Sequence, residues 1–462
     1  MKRSLFVHTT TRAVCAARGA PVRRRALAGP AAGGAIFLAA CGAEGGGARQ
    51  PAAADGTQKT RVPVTLRVHT RTGPDLDKYF LLRKPDFEAQ LTHVTLELDV
   101  ISGTPPEYIT KVLVVNSAGE LGDAAWATSR AGYLKQLASK SIFQAVEPLA
   151  KADRFALADY YQNALNEATW EGKLFSLPHI TEPGQVGLMW NRSLWSASGR
   201  RAPALDWTYD TLRDAAVELS KGDNDQRDQF GYAGQFGYLS FMPLLRTFGG
   251  DLLSADGTRC VLDSPQSLAA VQWHHDMIRR QYAVPAPGKA PTGGFISGRV
   301  AMQPIWPIAI KQTPRQLAGS FEIASTLLPK GPRGERGTMV NTHTMGVTRT
   351  TKHTNEAWAW VKWSCGRDFA VDRIMSGNGG PVGRPDVWRN EQVLRDIPEW
   401  KDWTEVMDKA MPNHIPANLR GQEVEEALDK HLGSVWLGDV GPADGIKRAV
   451  TAINEILRQP RL

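Results

Sequence analysis

The sequence is poor in cysteine and, after its first 40 residues, has no apolar run long enough to span a membrane. Its 462 residues contain only four cysteines, which is too few for a disulfide scaffold. Cys260 and Cys365 have no CxxC or Cys/His spacing of the kind that binds zinc. We therefore expect these two residues to be buried, unpaired thiols.

Sequence motifs of several enzyme classes are also missing. The chain has no GxxxxGK(S/T) phosphate loop, no GxSxG nucleophile elbow, no HExxH zinc motif and no GxGxxG dinucleotide loop. The adjacent residues His274 and His275 are predicted on a helix, where neighbouring side chains point in different directions and do not share a metal. We expect no metal, no cofactor and no catalytic activity.

A basic excess is missing from most of the chain. The net charge is +8, but residues 1–40 hold seven arginines and lysines and no acidic residue, which leaves about +1 for the remainder. Because that remainder is nearly balanced, the charge gives no indication of nucleic-acid binding.

The first 60 residues are typical of an exported protein. A basic segment that ends at Arg25 precedes small and apolar residues at 26–40, which is the layout of a secretory signal peptide. The segment closes in LAACG at 38–42, which resembles the lipobox of bacterial lipoproteins, so we expect cleavage before Cys41 and lipidation of that cysteine. Residues 1–40 are thus a predicted signal peptide. Residues 41–60, rich in Gly and Ala, are a predicted tether with a reach of roughly 25 Å.

The remaining residues indicate an α/β protein. Residues 61–70 and 94–100 alternate between apolar and polar positions, with a helical segment between them, which predicts two parallel strands joined by a helix. Thr208 and Ser264 are predicted N-caps of later helices. The length of the chain favours two lobes over a single core.

A short apolar run at 185–191 divides these patterns. Pro183, Gly184 and Asn191 bound it, strand and helix patterns precede it, and a new helix begins near Thr208. We interpret residues 182–190 as a hinge crossing between two lobes, with a ligand cleft beside it. The alternative is an internal strand of one large domain.

Tryptophan is abundant, and all 14 residues lie after the predicted tether. The flat apolar faces of Trp and Tyr can stack on sugar rings, while amides, carboxylates and guanidinium groups bond the hydroxyls. Most of these aromatic residues are nevertheless expected in the core.

Taken together, several short segments resemble the extracellular solute-binding proteins of bacterial ABC importers, in the carbohydrate-binding, maltose-binding-protein-like group. The resemblance covers residues 61–457. The segments that carry it, in chain order, are 171–178 (EGKLFSLP), 189–195 (MWNRSLW), 206–212 (DWTYDTL), 248–250 (FGG), 262–265 (LDSP), 295–302 (FISGRVAM) and 411–416 (MPNHIP).

The resemblance implies an α/β, two-lobe fold of the periplasmic-binding-protein type, with a hinge of three crossings and an inter-lobe ligand cleft. It places the crossings near 182–188, 337–342 and 380–388. The N-terminal lobe is then 61–182 with 343–380, and the C-terminal lobe is 189–336 with 388–462.

The resemblance also implies a function and partners. We expect a monomer that is anchored outside the cytoplasm through Cys41, in a periplasm or on the outer cell surface. It captures a sugar or oligosaccharide and delivers it to the transmembrane subunits of an ABC permease. Two alternatives stay open: a binding protein or sensor for a non-sugar solute, and an exported carbohydrate-active enzyme.

Candidate ligand-binding residues follow from the same resemblance. Trp126, Trp306 and Tyr238 are expected to stack on the ligand from both sides of the cleft, although Trp306, between Pro304 and Pro307, also fits a core position. The predicted polar contacts are Arg71, Glu182, Asn341, His343, Arg384 and Asn418.

Overall fold

Two β-sheets carry the architecture of residues 62–73, 76–224 and 227–462, the parts that the computed structural model describes. The predicted signal peptide, tether and Cys41 lie outside these residues. The strands are β1 (Val64–Arg71), β2 (Val94–Ile101), β3 (Ala124–Thr128), β4 (Thr169–Trp170), β5 (Lys173–Leu174), β6 (Leu177–Glu182), β7 (Gly187–Asn191), β8 (Phe230–Tyr232), β9 (Val300–Ile305), β10 (Ile323–Leu327) and β11 (Asn341–Val347).

Helices surround both sheets. The first nine are α1 (Leu76–Gln90), α2 (Pro105–Ser117), α3 (Tyr133–Ser139), α4 (Glu147–Ala152), α5 (Gln162–Glu167), α6 (Arg192–Ser198), α7 (Tyr209–Glu218), α8 (Tyr238–Thr247) and α9 (Pro265–Arg279). The others are α10 (Ala309–Leu317), α11 (Thr354–Ser364), α12 (Arg367–Met375), α13 (Pro385–Trp388), α14 (Glu391–Asp396), α15 (Trp400–Asp408), α16 (Gly421–Leu437) and α17 (Pro442–Leu457). Short 3-10 helices lie at Arg130–Gly132, Leu157–Asp159 and Gly294–Ser297.

The first sheet has the order β2-β1-β3-β11-β6, and the second has the order β10-β7-β9-β8. β1 pairs in parallel with β2 along its whole length, which confirms the predicted β-α-β unit. β11 is antiparallel to both of its neighbours, β3 and β6, although it comes from much later in the chain. The α/β class is therefore confirmed.

Local sequence signals account for several helix starts. The side chain of Thr208 accepts a hydrogen bond from the backbone of Thr211 (3.2 Å), and that of Ser264 accepts one from Ser267 (3.1 Å). Pro265 occupies the first position of α9, where its missing N–H removes no helical bond. Both predicted caps are confirmed.

The core forms two hydrophobic clusters. The first packs around the first sheet and reaches one face of the second sheet, and the other packs on the opposite face with α7, α8, α9, α16 and α17. β7 shows why both exist, because Met189 belongs to the first cluster and its neighbours Leu188 and Trp190 to the second. Cys365 lies in the first and Cys260 in the second, both as free thiols, as predicted.

Candidate functional site

Three connections run between the first sheet with its helices and the second sheet with its helices. Residues 183–186 join β6 to β7, and residues 328–340 join β10 to β11. Residues 376–384 lead from α12 towards α15. Trp403 of α15 packs so closely on Gly187 of β7 that a Cβ on this glycine would overlap the Trp403 ring, so α15 lies against the second sheet. The segments predicted as crossings lie on these connections.

Glu182 lies where the three connections meet. It is the last residue of β6, and its Cα partner in the ladder to β11 is Asn341. A Cβ placed on Gly380 would lie 2.6 Å from the Glu182 carboxylate. The backbone N–H of Thr181 donates to the carbonyl of Pro381 at 2.8 Å. The structure thus brings together two predicted polar residues, Glu182 and Asn341, where the three connections meet.

Burial dominates the electrostatics of this hinge cluster. It raises the pKa of Glu182 to about 7, and the nearby Arg373 opposes this rise. Arg373 is itself fully buried and donates to the carbonyls of His179 and Gly380, both at 2.8 Å. Oε1 of Glu182 is buried and has no hydrogen-bond partner among the described residues.

Trp126, Arg71 and His343 form a second group: Arg71 ends β1, Trp126 is the middle residue of β3 and His343 is the third residue of β11. The Trp126 ring meets the rings of Tyr108 and His343 edge to face, with centroids 5.0 and 5.3 Å apart. The guanidinium carbon of Arg71 lies 5.2 Å from the Trp126 ring centroid. Only 1% of Trp126 is exposed, so a ligand can stack on this ring only after neighbouring side chains move.

His343 is uncharged in this group. Burial, Arg71 and Arg373 lower its pKa to about 3. At neutral pH the ring therefore offers one donor and one acceptor, which suits a hydroxyl group.

Tyr238 begins a buried hydrogen-bond chain at the start of α8. Its hydroxyl donates to Oδ1 of Asn413 (2.8 Å), whose backbone N–H donates to Glu167 (3.0 Å). Burial raises the pKa of Glu167 to about 7. Tyr238 also lines a narrow cavity together with Ala131 and Glu425.

Residues 130–136, which follow β3, make direct contact with the segment that begins α16. Arg130 donates a hydrogen bond from Nε to Oε2 of Glu425 at 2.9 Å, and its Nη2 forms an ion pair with the same oxygen at 2.8 Å. Further bonds between these segments join Tyr133 to Gln422 (3.3 Å) and Gln136 to the Leu419 carbonyl (2.7 Å). The segment that follows β3 thus contacts α16, a helix that packs on the second sheet.

Arg384 lies in an ion-pair group of its own. Its guanidinium bonds Asp159 at 3.0 Å and Asp386 at 2.8 Å, and it lies 5.1 Å from the ring centroid of Tyr160. These contacts orient the side chain within the third connection. A ligand contact of Arg384 stays a prediction.

Asn418 and Trp306 each bond the end of a helix. Asn418 donates to the carbonyls of Ile456 and Gln459, at 2.8 and 3.2 Å, and so holds the end of α17. Trp306 follows β9 half-buried, and its carbonyl accepts a bond from Ala309 at the start of α10. Their roles towards a ligand also stay predictions.

Sequence reasoning missed five charged or polar residues of these groups: Arg130, Glu167, His179, Arg373 and Glu425. Arg373 had a detectable signal, because it interrupts the apolar face that α12 builds from Phe369, Ala370 and Ile374. The others had none, since the hydrogen bonds of their side chains join them to residues 185 to 295 positions away in the chain.

The described part of the chain has neither a metal-binding cluster nor a membrane-spanning helix. No group of three or more His, Cys, Asp or Glu side chains could hold a metal ion there. Nor does that part contain a helix with the length and apolarity that crossing a membrane requires.

Residues 70–365 match the profile of the family described as bacterial extracellular solute-binding protein. The chain belongs to this family. The match begins in β1 and runs through both sheets to the end of α11, so it includes Trp126, Glu182, Asn341 and His343 but not the third connection or α16.

Curated relatives of this solute-binding protein match over most of their length. A candidate binding protein from Brucella abortus (strain 2308) and one from Brucella suis biovar 1 (strain 1330) are each 22% identical over 398 residues. These matches cover 84% of the chain and 91% of each relative.

Solved structures of solute-binding proteins share the fold. An ABC substrate-binding protein from Listeria monocytogenes in complex with cycloalternan has a TM-score of 0.73 at 17% identity and covers 86% of this chain and 99% of its own. The GacH receptor of Streptomyces glaucescens, determined unliganded and with acarbose, has a TM-score of 0.73 at 17% identity, covering 87% and 100%. A solute-binding protein from Thermotoga lettingae bound to alpha-D-tagatose has a TM-score of 0.71 at 21% identity, covering 86% and 100%. The predicted two-lobe fold is therefore confirmed.

Proposed function

We propose that this solute-binding protein captures a sugar or oligosaccharide outside the cytoplasm and delivers it to the permease of an ABC importer. The convergence of three connections on the buried Glu182 carries the proposal, because a polar side chain at the pivot of two lobes suits a polar ligand that is held between them. The proposal also includes Trp126 and Tyr238 as aromatic contacts of the ligand. The sugars bound by the similar structures from Listeria and Streptomyces support the same ligand class.

The proposal includes the lobe boundaries, 61–182 with 343–380 and 189–336 with 388–462. The sheet membership of the strands supports them, since β1, β2, β3, β6 and β11 form the first sheet and β7 to β10 the second. It also includes lipid anchoring at Cys41, supported by the lipobox-like segment at 38–42.

A thermal-shift screen of the full chain against neutral, acidic and amino sugars tests the proposal. A ligand at 100 times its Kd stabilises the folded state by about 2.7 kcal/mol. For a folded region of about 400 residues, this raises Tm by roughly 3 °C. Stabilisation by amino acids or peptides, with none by sugars, would contradict sugar capture while leaving solute binding intact. Turnover of the bound sugar would instead indicate an enzyme.

A further inference from the structure

The contact between residues 130–136 and α16 closes the space beside Tyr238. A Cβ placed on Gly421, the first residue of α16, would overlap the carbonyl of Ala131. A Cβ on Gly132 would lie 2.7 Å from the side chain of Ile415. Because the backbones of Ala131 and Gly421 meet here, a ligand that binds between the two segments must separate them.

Arg130 and Glu425 are the charged pair at this contact. Glu425 is only 7% exposed, and it lines the narrow cavity together with Tyr238. Its Oε2 accepts the hydrogen bond from Nε of Arg130 and pairs with Nη2, whereas its Oε1 has no hydrogen-bond partner among the described residues. The carboxylate therefore has an unused acceptor at the cavity while its charge is balanced from the opposite segment.

Separating these two groups is costly unless the ligand replaces both partners. An uncompensated buried charge destabilises a protein far more than an ordinary hydrogen bond stabilises it. A carboxylate ligand can satisfy Arg130 but repels Glu425, and an ammonium ligand does the reverse. A hydroxyl group is both donor and acceptor, so neighbouring hydroxyls of a neutral sugar can serve both residues.

We propose that Arg130 and Glu425 form the specificity-determining pair of the cleft, which selects neutral polyhydroxyl ligands over acidic and amino sugars. This inference rests on the proposed sugar-binding function and narrows its substrate class. In the liganded protein, Arg130 donates to one ligand hydroxyl and Glu425 accepts from another. Each residue thereby excludes ligands of its own sign.

The test measures calorimetric affinities of the full chain for neutral disaccharides of glucose, mannose and galactose, for digalacturonic acid and for the glucosamine disaccharide. The unsubstituted protein should bind a neutral disaccharide and neither charged one. Glu425→Gln should weaken that binding about ten- to a hundredfold and create measurable affinity for digalacturonic acid. Arg130→Gln should weaken it similarly and create affinity for the glucosamine disaccharide.

Two further variants serve as controls. Glu425→Asp keeps the charge and should keep the preference for neutral sugars. Glu426→Gln removes an exposed charge of the same helix and should leave every affinity unchanged. Glu425→Gln and Arg130→Gln change opposite sides of the cleft. Each variant tests the proposal by itself, so one that folds, as judged by circular dichroism, is sufficient.

The outcomes separate this inference from the function on which it rests. Binding of a neutral sugar with an unchanged ligand preference in both Gln variants would overturn the specificity pair and leave sugar binding standing. A protein that binds only charged sugars would do the same. If no sugar of any class binds, the proposed function fails and this inference fails with it.

Discussion

Replacing Glu182 by Gln should stabilise the folded protein in a strongly pH-dependent way. Burial raises the pKa of this carboxyl from its ordinary 4.5 to about 7. At about 1.4 kcal/mol per pH unit, this difference corresponds to roughly 3 kcal/mol between the two protonation states. Gln keeps the shape of the protonated side chain and carries no charge.

The sign of this stability change depends on whether the folded or the unfolded state binds the Glu182 proton more tightly. The folded state binds it more strongly than the unfolded chain, so ionisation of Glu182 weakens the folded state. This cost is absent below about pH 4.5, grows between pH 4.5 and 7, and is complete above pH 7. Glu182→Gln should therefore match the unsubstituted protein near pH 4.5 and exceed its stability by roughly 3 kcal/mol at pH 8.

Urea denaturation of the full chain at pH 4.5 and pH 8, followed by tryptophan fluorescence, measures this difference. Glu167 is also buried with a raised pKa, so the unsubstituted protein loses stability from both groups, and the variant isolates one of them. Glu455→Gln, which removes an exposed carboxylate of α17, is the matched control. An equal effect of Glu182→Gln at both pH values would refute the account of a desolvated hinge carboxylate.

Three other predictions concern the ligand and the cysteines. Trp126→Ala and Trp306→Ala should each weaken sugar binding about ten- to a hundredfold by calorimetry, because each removes a stacking face. Unchanged affinity in both variants, with folding intact, would show that these two tryptophans do not stack on the ligand. Alkylation without reductant and mass spectrometry should find Cys260 and Cys365 modified separately, and a linked peptide would contradict this. Cys41→Ala should release the protein from the membrane fraction; labelled fatty acid on that variant would disprove anchoring at Cys41.

Trp126→Ala and Trp306→Ala should differ in their effect on the stability of the folded protein. Trp126 is almost fully buried, so its removal also leaves a cavity of the kind that destabilises a core by about 3 to 5 kcal/mol. Trp126→Phe retains a ring and most of the packing. It should recover stability and part of the affinity if stacking is the role of this residue. Trp306 is half-buried, so its removal should affect stability less.

The sequence by itself determined the parts of this protein that depend on neighbouring residues. Alternation placed β1 and β2, and the caps Thr208 and Ser264 placed the starts of α7 and α9, because these signals act within a few positions. The ordered motifs indicated the family and its two-lobe fold. They also pointed to Glu182 and Asn341, which the structure brings together at the hinge.

Only the tertiary structure decided which side chains share a site. Arg130 and Glu425 are 295 positions apart and meet because residues after β3 reach the start of α16. Arg71 lies over Trp126, and Arg384 and Asn418 are engaged by Asp159 and by the end of α17. Such contacts depend on how whole sheets and helices pack, since the energy of burying a charge is set by its spatial neighbours and not by its neighbours in sequence.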